Sequence, residues 1–412
     1  MPLTETGQAA ATPGRDARIV ALIGTGHFLS HFYMLSLPPL FLIWAREFEV
    51  SYATLGLAIA AMSGTTAVLQ TPVGFLVDRH GARRFLVGGT LLMALSVAAM
   101  ALAPSFWVIL PLAVLSGIGN SVIHPADYSI MAGSVDKGFM GRAFALHTFT
   151  GNLGFALAPP TIALLLTVMD WRGALLTVGL LGVPVVAAIL LQSRILRDQP
   201  RAAKQPDATT GGALLLSRPM LLFFAFFLLS SMAGSGIQAW LVTVLGQLWG
   251  TPVLVASAAL TGYMVGATAG TLVGGWIADT SKKHLLGIVI GLTLAAMALL
   301  LLPGLVRLPD AALAVVAVLA GLALGTSRTP RDVMLRDAAP PGQVGKVFGF
   351  VSAGLPLGSA ITPVPMGWLI DIGHPELVLP VVAGLLGLSL LCAGGARGSV
   401  QAASASRAVA AE

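Results

Sequence analysis

The sequence contains 412 residues, of which 56% are hydrophobic and only 10% charged, and its mean hydropathy is +0.88. Soluble domains carry about 25% charged residues, so this composition excludes an ordinary soluble protein and predicts one whose main solvent is lipid. The formal net charge of +6 is spread in short basic clusters between apolar runs, a pattern typical of membrane-protein loops rather than of nucleic-acid binding. The single cysteine, Cys392, excludes an intramolecular disulfide and a cysteine metal cluster.

Twelve apolar runs are long enough to cross a hydrocarbon core, which takes about 20 helical residues. Helices are predicted because a barrel strand would be about ten residues of alternating polarity. We number the predicted spans 1 to 12, at 19–44, 52–77, 85–103, 106–132, 140–168, 173–193, 219–247, 252–278, 285–303, 311–331, 343–369 and 376–396. The predicted fold class is an all-α membrane protein with twelve transmembrane helices.

Lysine and arginine residues are concentrated on one side of this topology. Eighteen fall in the two tails and the loops on the same side, against three, Arg46, Arg172 and Arg307, on the other. The positive-inside rule then predicts that both termini are cytoplasmic and that the protein lies in the cytoplasmic (inner) membrane. No removable signal peptide is expected, because a polar segment precedes a full-length span and no small-residue cleavage site follows.

The longest polar stretch divides the spans into two groups of six. It runs from Arg194 to Gly212 and is rich in Pro, Lys, Arg and Thr. The predicted organisation is a cytoplasmic tail, a six-helix bundle, a cytoplasmic linker, a second six-helix bundle and a second cytoplasmic tail, at 1–18, 19–193, 194–218, 219–396 and 397–412.

The two groups of spans repeat each other in sequence. GFLVDRHGARR (74–84) corresponds to GGWIADTSKKH (274–284), which places Asp78 opposite Asp279 at a separation of 201 residues. HPAD corresponds to TPRD at a separation of 205, and GRAF to GKVF at 204. Matches in the same order at nearly constant spacing predict a duplicated, pseudo-symmetric six-helix unit, and repeats of this kind place a substrate path between them.

These motifs resemble the major facilitator superfamily and, within it, the fosmidomycin-resistance-like branch. GFLVDRHGARR is similar to the superfamily loop motif G-x-L-x-D-R-x-G-R-R, and GHFLSH, GIGNSVIHPADYSI and GNLGFALAPP are similar to the branch. The resemblance covers nearly the whole chain and implies a transporter that alternates access between two six-helix halves. ATP hydrolysis is not expected, because no G-x-x-x-x-G-K-[ST] occurs.

The loop motif and its repeat predict a gate. A carboxylate at a helix end can meet the positive N-terminus of a neighbouring helix; the family implies span 11 as the neighbour of Asp78, and the repeat implies the start of span 5 for Asp279. Such contacts would form when the cytoplasmic side is closed, and the alternative is simple topological anchoring. The candidate gating residues are Gly74, Asp78, Arg79, Gly81, Arg83, Arg84, Asp279, Arg331 and Asp332.

Span 1 carries two histidines one helical turn apart, His27 and His31, with Tyr33 nearby. Ionisable groups inside a span are costly and call for an explanation. The pair is predicted to line a cavity, His31 is also a proton-carrying candidate, and the alternative is a pair of neutral, hydrogen-bonded imidazoles. A metal site is not expected, because no Asp, Glu or Cys of span 1 completes a ligand set.

Span 4 carries His124 and Asp127 at i and i+3, so the two side chains are able to touch. This pair is predicted to relay protons, since a desolvated carboxyl group and an imidazole can exchange one. The alternative places Asp127 at the cytoplasmic edge, solvated, as part of the gate or in a structural pair.

The equivalent segment of span 10 carries Arg328, Arg331 and Asp332. If Arg328 faces the cavity, its planar guanidinium can bind a carboxylate or phosphonate through two hydrogen bonds. The alternative is an internal ion pair with Asp332 or Asp127. Further candidate lining residues are Gln70, Asn120, His147, Asn152, Gln238, Trp240 and Tyr263.

The sequence therefore predicts a proton-coupled secondary active transporter of a small organic solute, and the resemblance to the fosmidomycin-resistance-like branch implies that efflux is favoured over uptake. The alternative is a symporter or facilitator for a small organic anion. A third hypothesis, a membrane-embedded enzyme or a receptor, has no nucleophile and base constellation behind it, so no enzyme is predicted. The expected partners are the solute, protons and the lipid bilayer, without nucleic acid or cofactor, and a monomer is expected.

Overall fold

The computed structural model describes residues 13–136, 139–196, 212–281, 284–338, 347 and 350–409. Eleven helices of this part are long and apolar enough to cross a membrane, and the helix Met140–Leu165 takes the place of span 5. The α-helices lie at Pro13–Ser36, Phe41–Glu47, Tyr52–His80, Ala82–Met100, Phe106–Ser121, Ile123–Ser134, Met140–Leu165, Trp171–Leu180, Gly182–Gln192, Gly212–Leu215, Arg218–Trp249, Val253–Thr280, Leu285–Leu305, Asp310–Ala338, Gly354–Ile361, Pro363–Asp371 and Val378–Val409. The all-α, twelve-span prediction is confirmed.

Four of the predicted spans, 1, 4, 6 and 11, are divided into pairs of helices at or just before a proline. Span 4 breaks between Ser121 and Ile123, two residues before Pro125, and span 11 breaks immediately before Pro363. Proline lacks a backbone N–H and its ring clashes with the carbonyl four residues earlier, so the helix stops or bends at that point. The break in span 4 directly precedes the segment that carries His124 and Asp127.

The described residues group into two compact units, one drawn from 1–36 and 65–205 and the other from 37–64 and 206–412. The segment 37–64, which the sequence analysis assigns to the first bundle, makes its contacts within the second unit. Most of the predicted linker and both chain ends lie outside the described residues. The predicted domain limits remain a prediction.

Within the first unit, spans 1 and 5 approach each other through a glycine. A Cβ atom built on Gly154 would overlap the carbonyl oxygen of Phe28. Only a residue without a side chain permits the two backbones to come this close. Close approach of this kind favours helix association in lipid, where van der Waals packing drives it. The contact sets spans 1 and 5 side by side at the level of the histidines described below.

Within the second unit, spans 8 and 10 pack through glycines on both sides. A Cβ atom on Gly321 would overlap the carbonyl oxygen of Tyr263, and one on Gly266 would overlap that of Val318. The small-residue stripes of these two spans are therefore packing surfaces. Their close contact fixes the positions of Tyr263 on span 8 and Arg328 on span 10.

Candidate functional site

The first unit contains a cluster of four histidines and one aspartate, in which His31 and His124 are half-buried and the other three residues are buried. His27 and His31 come from span 1, His124 and Asp127 from the second helix of span 4, and His147 from span 5. His27, Asp127 and His147 are 3%, 0% and 2% exposed. Groups of this polarity are rarely buried together without a function, so the cluster is the main candidate site of this unit.

Asp127 is paired with a residue that the sequence analysis did not select as its partner. Its Oδ2 lies 2.8 Å from Nε2 of His147, whereas the sequence pairs it with His124, one turn away. Span 5 crosses the cluster and brings His147 to this carboxylate. Asp127 is also fully buried within the unit, which is inconsistent with the alternative of a solvated carboxylate at the cytoplasmic edge.

His27 contacts span 5 in two ways. Its Nδ1 donates a hydrogen bond to the backbone carbonyl of His147 at 2.8 Å, and the two imidazole rings stack with centroids 3.8 Å apart and planes 6° apart. Since a carbonyl only accepts, the bond places the proton of the neutral ring on Nδ1. A Cβ atom on Gly151 would lie 2.5 Å from Cε1 of His27 and 2.7 Å from Nδ1 of His31, so glycine makes the space that these rings occupy.

The second unit contains a cavity of about 240 Å³. Three of the predicted lining residues, Gln238, Tyr263 and Arg328, contribute to its wall, and Arg331 joins them. Apolar residues such as Phe226 and Leu386 form part of the wall. The remaining polar residues are Thr293 and six serines, Ser230, Ser231, Ser235, Ser327, Ser359 and Ser389. The cavity therefore combines two guanidinium groups with many hydroxyl groups.

The two arginines of this cavity have different partners. Arg331 forms an ion pair with Asp332, 2.9 Å from Nη2 to Oδ1, and lies over the ring of Phe227 at 4.1 Å. Arg328 forms no ion pair with the residues that the structure describes. In the structure Asp332 pairs with Arg331, whereas the sequence analysis considered Asp332 as a partner for Arg328. The guanidinium of Arg328 is therefore available to a ligand in the cavity.

The serines were missed by the sequence analysis, which selected charged residues, histidines, amides and aromatic residues with a polar group. Serine is common in transmembrane helices and by itself carries little information. The signal that was present is spacing: Ser231, Ser235 and Gln238 recur at i, i+4 and i+7 on span 7 and share one helix face. Ser231 Oγ donates to the carbonyl of Leu355 at 2.6 Å, which ties this face to span 11.

Three candidate lining residues have structural contacts instead. The hydroxyl of Tyr33 donates to the carbonyls of Val178 and Gly179 at 3.3 and 3.4 Å. Trp240 is fully buried and its Nε1 donates to the carbonyl of Pro363 at 3.0 Å. Asn120 donates to Oγ1 of Thr66 at 3.2 Å. The two remaining candidates, Gln70 and Asn152, are half-buried.

The candidate gating residues are described only in part. The side chains of Asp78 and Asp279 lie outside the described residues, so their predicted contacts remain predictions. Arg79, Arg83 and Arg84 are exposed. Gly81, with φ of +93°, forms the N-cap of the helix Ala82–Met100, a backbone conformation that favours glycine. Gly74 lies on span 2, where a Cβ atom would lie 4.0 Å from Cβ of Pro125.

Comparisons with known proteins agree with this architecture. A family model described as Major Facilitator Superfamily matches residues 23–248 and 228–406. The chain is 26% identical over 409 residues to the "Fosmidomycin resistance protein" of Escherichia coli (strain K12), covering 95% of this chain and 96% of that protein. It is 23% identical over 351 residues to the "Probable nitrate/nitrite transporter NarK2" of Mycobacterium tuberculosis (strain CDC 1551 / Oshkosh), covering 81% and 84%.

A solved structure shares the fold over nearly the full length. The chain superimposes with a TM-score of 0.75 on the crystal structure of a bacterial homolog to the human lysosomal transporter Spinster, in its inward-facing and unoccupied conformation. The match covers 95% of this chain and 98% of that chain at 13% sequence identity. At this identity the likeness shows the fold alone.

Proposed function

The chain belongs to the Major Facilitator Superfamily, and from this premise we propose that it is a proton-coupled secondary transporter of a small organic anion. Transport across a membrane, without an enzymatic step, is the function common to the family. The solute class follows from the cavity of the second unit, where Arg328 is the group proposed to hold a carboxylate or phosphonate. The solute class is that of the alternative in the sequence analysis, whereas proton coupling and export belong to its first hypothesis.

The proposal rests on one observation: the guanidinium of Arg328 lines this cavity and forms no ion pair with the described residues. A guanidinium held among transmembrane helices is costly unless a counter-charge meets it. Asp332 is occupied by Arg331, so a bound anion is the natural partner of Arg328. The planar guanidinium matches a carboxylate or phosphonate through paired hydrogen bonds, and the surrounding serine hydroxyls can donate to the remaining oxygens. A relative named as a nitrate/nitrite transporter is consistent with an anionic solute.

The solute class is tested with purified protein and a panel of small carboxylates and phosphonates, each matched with its neutral amide or ester. We expect some of the anions to raise the thermal midpoint of the wild type, and Arg328→Gln to weaken that binding by about 100-fold, since a charge-assisted pair contributes about 1.5–3 kcal/mol. Arg336→Gln is the matched control, because Arg336 lies on the same helix and its side chain is 56% exposed. Anion binding that survives in Arg328→Gln would remove the proposal.

Coupling to protons is assigned to Asp127, the fully buried carboxyl group of the first unit. In proteoliposomes with an imposed pH gradient, we expect accumulation of the anion by the wild type. Asp127→Asn should abolish accumulation and spare solute exchange, because the amide cannot take up a proton. Asp337→Asn, at a side chain that is 60% exposed, is the control. Accumulation that is unchanged in Asp127→Asn contradicts this assignment.

Export is proposed over uptake, and the support is the likeness to a protein named for fosmidomycin resistance. Orientation in the inner membrane, with both termini cytoplasmic, is supported by the distribution of 18 against three basic residues in the predicted loops and tails. We further propose that the transporter acts as a monomer. Protease accessibility of a C-terminal tag in sealed inside-out and right-side-out vesicles tests the orientation.

A further inference from the structure

We infer that His27, His31 and His124 form a binding site for a divalent transition-metal ion inside the first unit. One ring nitrogen of each lies within 4.8 Å of the corresponding nitrogens of the other two. The ring centroid of His27 lies 4.4 Å from that of His31 and 5.0 Å from that of His124. The sequence analysis expected no metal because span 1 offers two ligands; span 4 supplies the third.

Each of the three rings has a buried nitrogen that finds no partner within the described residues. These atoms are Nε2 of His27, Nδ1 of His31 and Nδ1 of His124. Buried nitrogen atoms are normally hydrogen-bonded, and an unsatisfied one costs free energy. Three neighbouring rings from two helices, each with an unsatisfied nitrogen, are better explained by a shared ligand that accepts electron pairs than by three independent exceptions.

The hydrogen bonding of His27 prepares its free nitrogen for a metal. Because Nδ1 donates to the carbonyl of His147, Nε2 of the neutral ring carries a lone pair directed away from that bond. Histidine ligands of metals usually donate their second ring N–H to a carbonyl or carboxylate, which fixes the tautomer and the ring orientation. His147 in turn is hydrogen-bonded to Asp127, so the residue that orients His27 is itself held in place.

The imidazole ligands determine which class of divalent ion this site favours. Three neutral imidazoles favour zinc, copper, nickel or cobalt over magnesium or calcium, which prefer oxygen ligands. Three protein ligands leave a fourth position for water or another small ligand. Zinc binds imidazole nitrogen at about 2.0–2.1 Å, so the three rings have to close around the ion by small side-chain rotations. A side chain at Gly151 would overlap both rings of span 1, so glycine at this position permits the two rings to lie together.

The test uses the full-length chain in detergent, purified without a polyhistidine tag and stripped with EDTA. Co²⁺ is titrated and followed by its visible absorption, which is intense for a tetrahedral ion, and Zn²⁺ is then added in competition. We expect one Co²⁺ per chain with the tetrahedral spectrum, displaced by one equivalent of Zn²⁺. Absence of saturable binding by the wild type overturns the inference without any variant.

Two variants locate the site. His31→Asn and His124→Asn are each expected to weaken Co²⁺ binding at least tenfold and to change its spectrum. The control replaces the exposed histidines His80, His284 and His374 with asparagine and should bind as the wild type does. Binding that is lost in this control and kept in His31→Asn and His124→Asn would assign the metal to the surface and overturn the inference.

A second readout does not depend on the spectrum. An ion that binds only the folded chain raises its thermal midpoint, so Zn²⁺ should stabilise the wild type and the surface-histidine control but neither cluster variant. Equal stabilisation of the cluster variants and the wild type would contradict the site. Neither readout requires an anion or a pH gradient, so the metal site and the proposed transport function are tested separately.

Discussion

The carboxylate of Asp371 accepts a hydrogen bond from the backbone N–H of Tyr52, with 2.6 Å between Oδ1 and N. Its other oxygen accepts from the N–H of Ala53 at 2.8 Å. Span 2 begins at Tyr52, and the first N–H groups of a helix have no partner within the helix. Asp371, at the end of span 11, therefore caps span 2 from a distant part of the chain and places a negative charge at its positive end.

Asp371→Ala should loosen the contact between the start of span 2 and span 11. A helix cap of this kind contributes about 1 kcal/mol, and Asp371→Asn should retain part of it because asparagine also caps well. Leu55, which is fully buried next to this contact, reports on it: in a Cys392→Ser background, thiol labelling of Leu55→Cys should rise in Asp371→Ala and less in Asp371→Asn. Labelling that does not respond to either change would show that the cap does not hold the contact.

Gly321→Ala should destabilise the second unit. Its Cβ would overlap the carbonyl oxygen of Tyr263, so spans 8 and 10 have to move apart, and overpacking of this kind costs about 1–3 kcal/mol. Gly291→Ala on span 9 is the matched control, because nothing lies within 4 Å of its Cβ position. Thermal unfolding in detergent should show a lower midpoint for Gly321→Ala and an unchanged or higher one for Gly291→Ala. Equal midpoints would refute the close packing.

His147→Ala should destabilise the first unit more than Asp127→Asn does. Removal of the imidazole leaves the buried carboxyl group of Asp127 without its hydrogen-bond partner, which costs about 1–3 kcal/mol, whereas the amide introduced by Asp127→Asn is similar in size to the carboxyl group and is still able to hydrogen-bond to His147. In the double variant His147→Ala/Asp127→Asn, part of the loss should be recovered. Thermal midpoints of the four proteins form a double-mutant cycle, and strictly additive effects would mean that the pair is not coupled.

Arg172→Ala should weaken the end of span 3. The Nη1 of Arg172 donates to the carbonyls of Ala101 and Ala103 at 3.0 and 2.8 Å, and its guanidinium lies 4.3 Å from the ring centroid of Trp171. Hydrogen bonds to a charged donor contribute about 1.5–3 kcal/mol, so the thermal midpoint should fall. Arg307→Ala, at an exposed position, should leave it unchanged; a similar fall in both variants would argue against a specific role for Arg172.

Pairings within the candidate sites required the structure. The sequence identified His27, His31, His124, Asp127 and His147 as unusual, because polar groups are conspicuous in apolar spans. It assigned Asp127 to its neighbour one turn away, because sequence spacing reveals only contacts along a single helix. The true partner, His147, lies on another span, and its approach depends on how spans 1, 4 and 5 cross.

The same limit applies to the cavity of the second unit. Arg328 and Arg331 both lie near Asp332 in the sequence, and helical spacing cannot decide which of them takes the carboxylate. Packing of Arg331 over Phe227 on span 7 decides it. Ser231, Ser235 and Gln238 share one face of span 7 in the sequence, but that face lines a cavity only because spans 10, 11 and 12 pack around it.

The duplicated motifs can be read directly from the sequence. Composition also predicts the number of spans and the helical fold, because lipid requires every spanning segment to be apolar and to satisfy its own backbone hydrogen bonds. Those requirements act on each segment separately, so the composition of each segment is enough to predict that it spans the membrane as a helix. Tertiary structure alone decided which histidines converge, which arginine takes Asp332 and that the segment 37–64 joins the second unit. These outcomes depend on the crossing of helices far apart in the chain, and local composition does not specify how two helices meet.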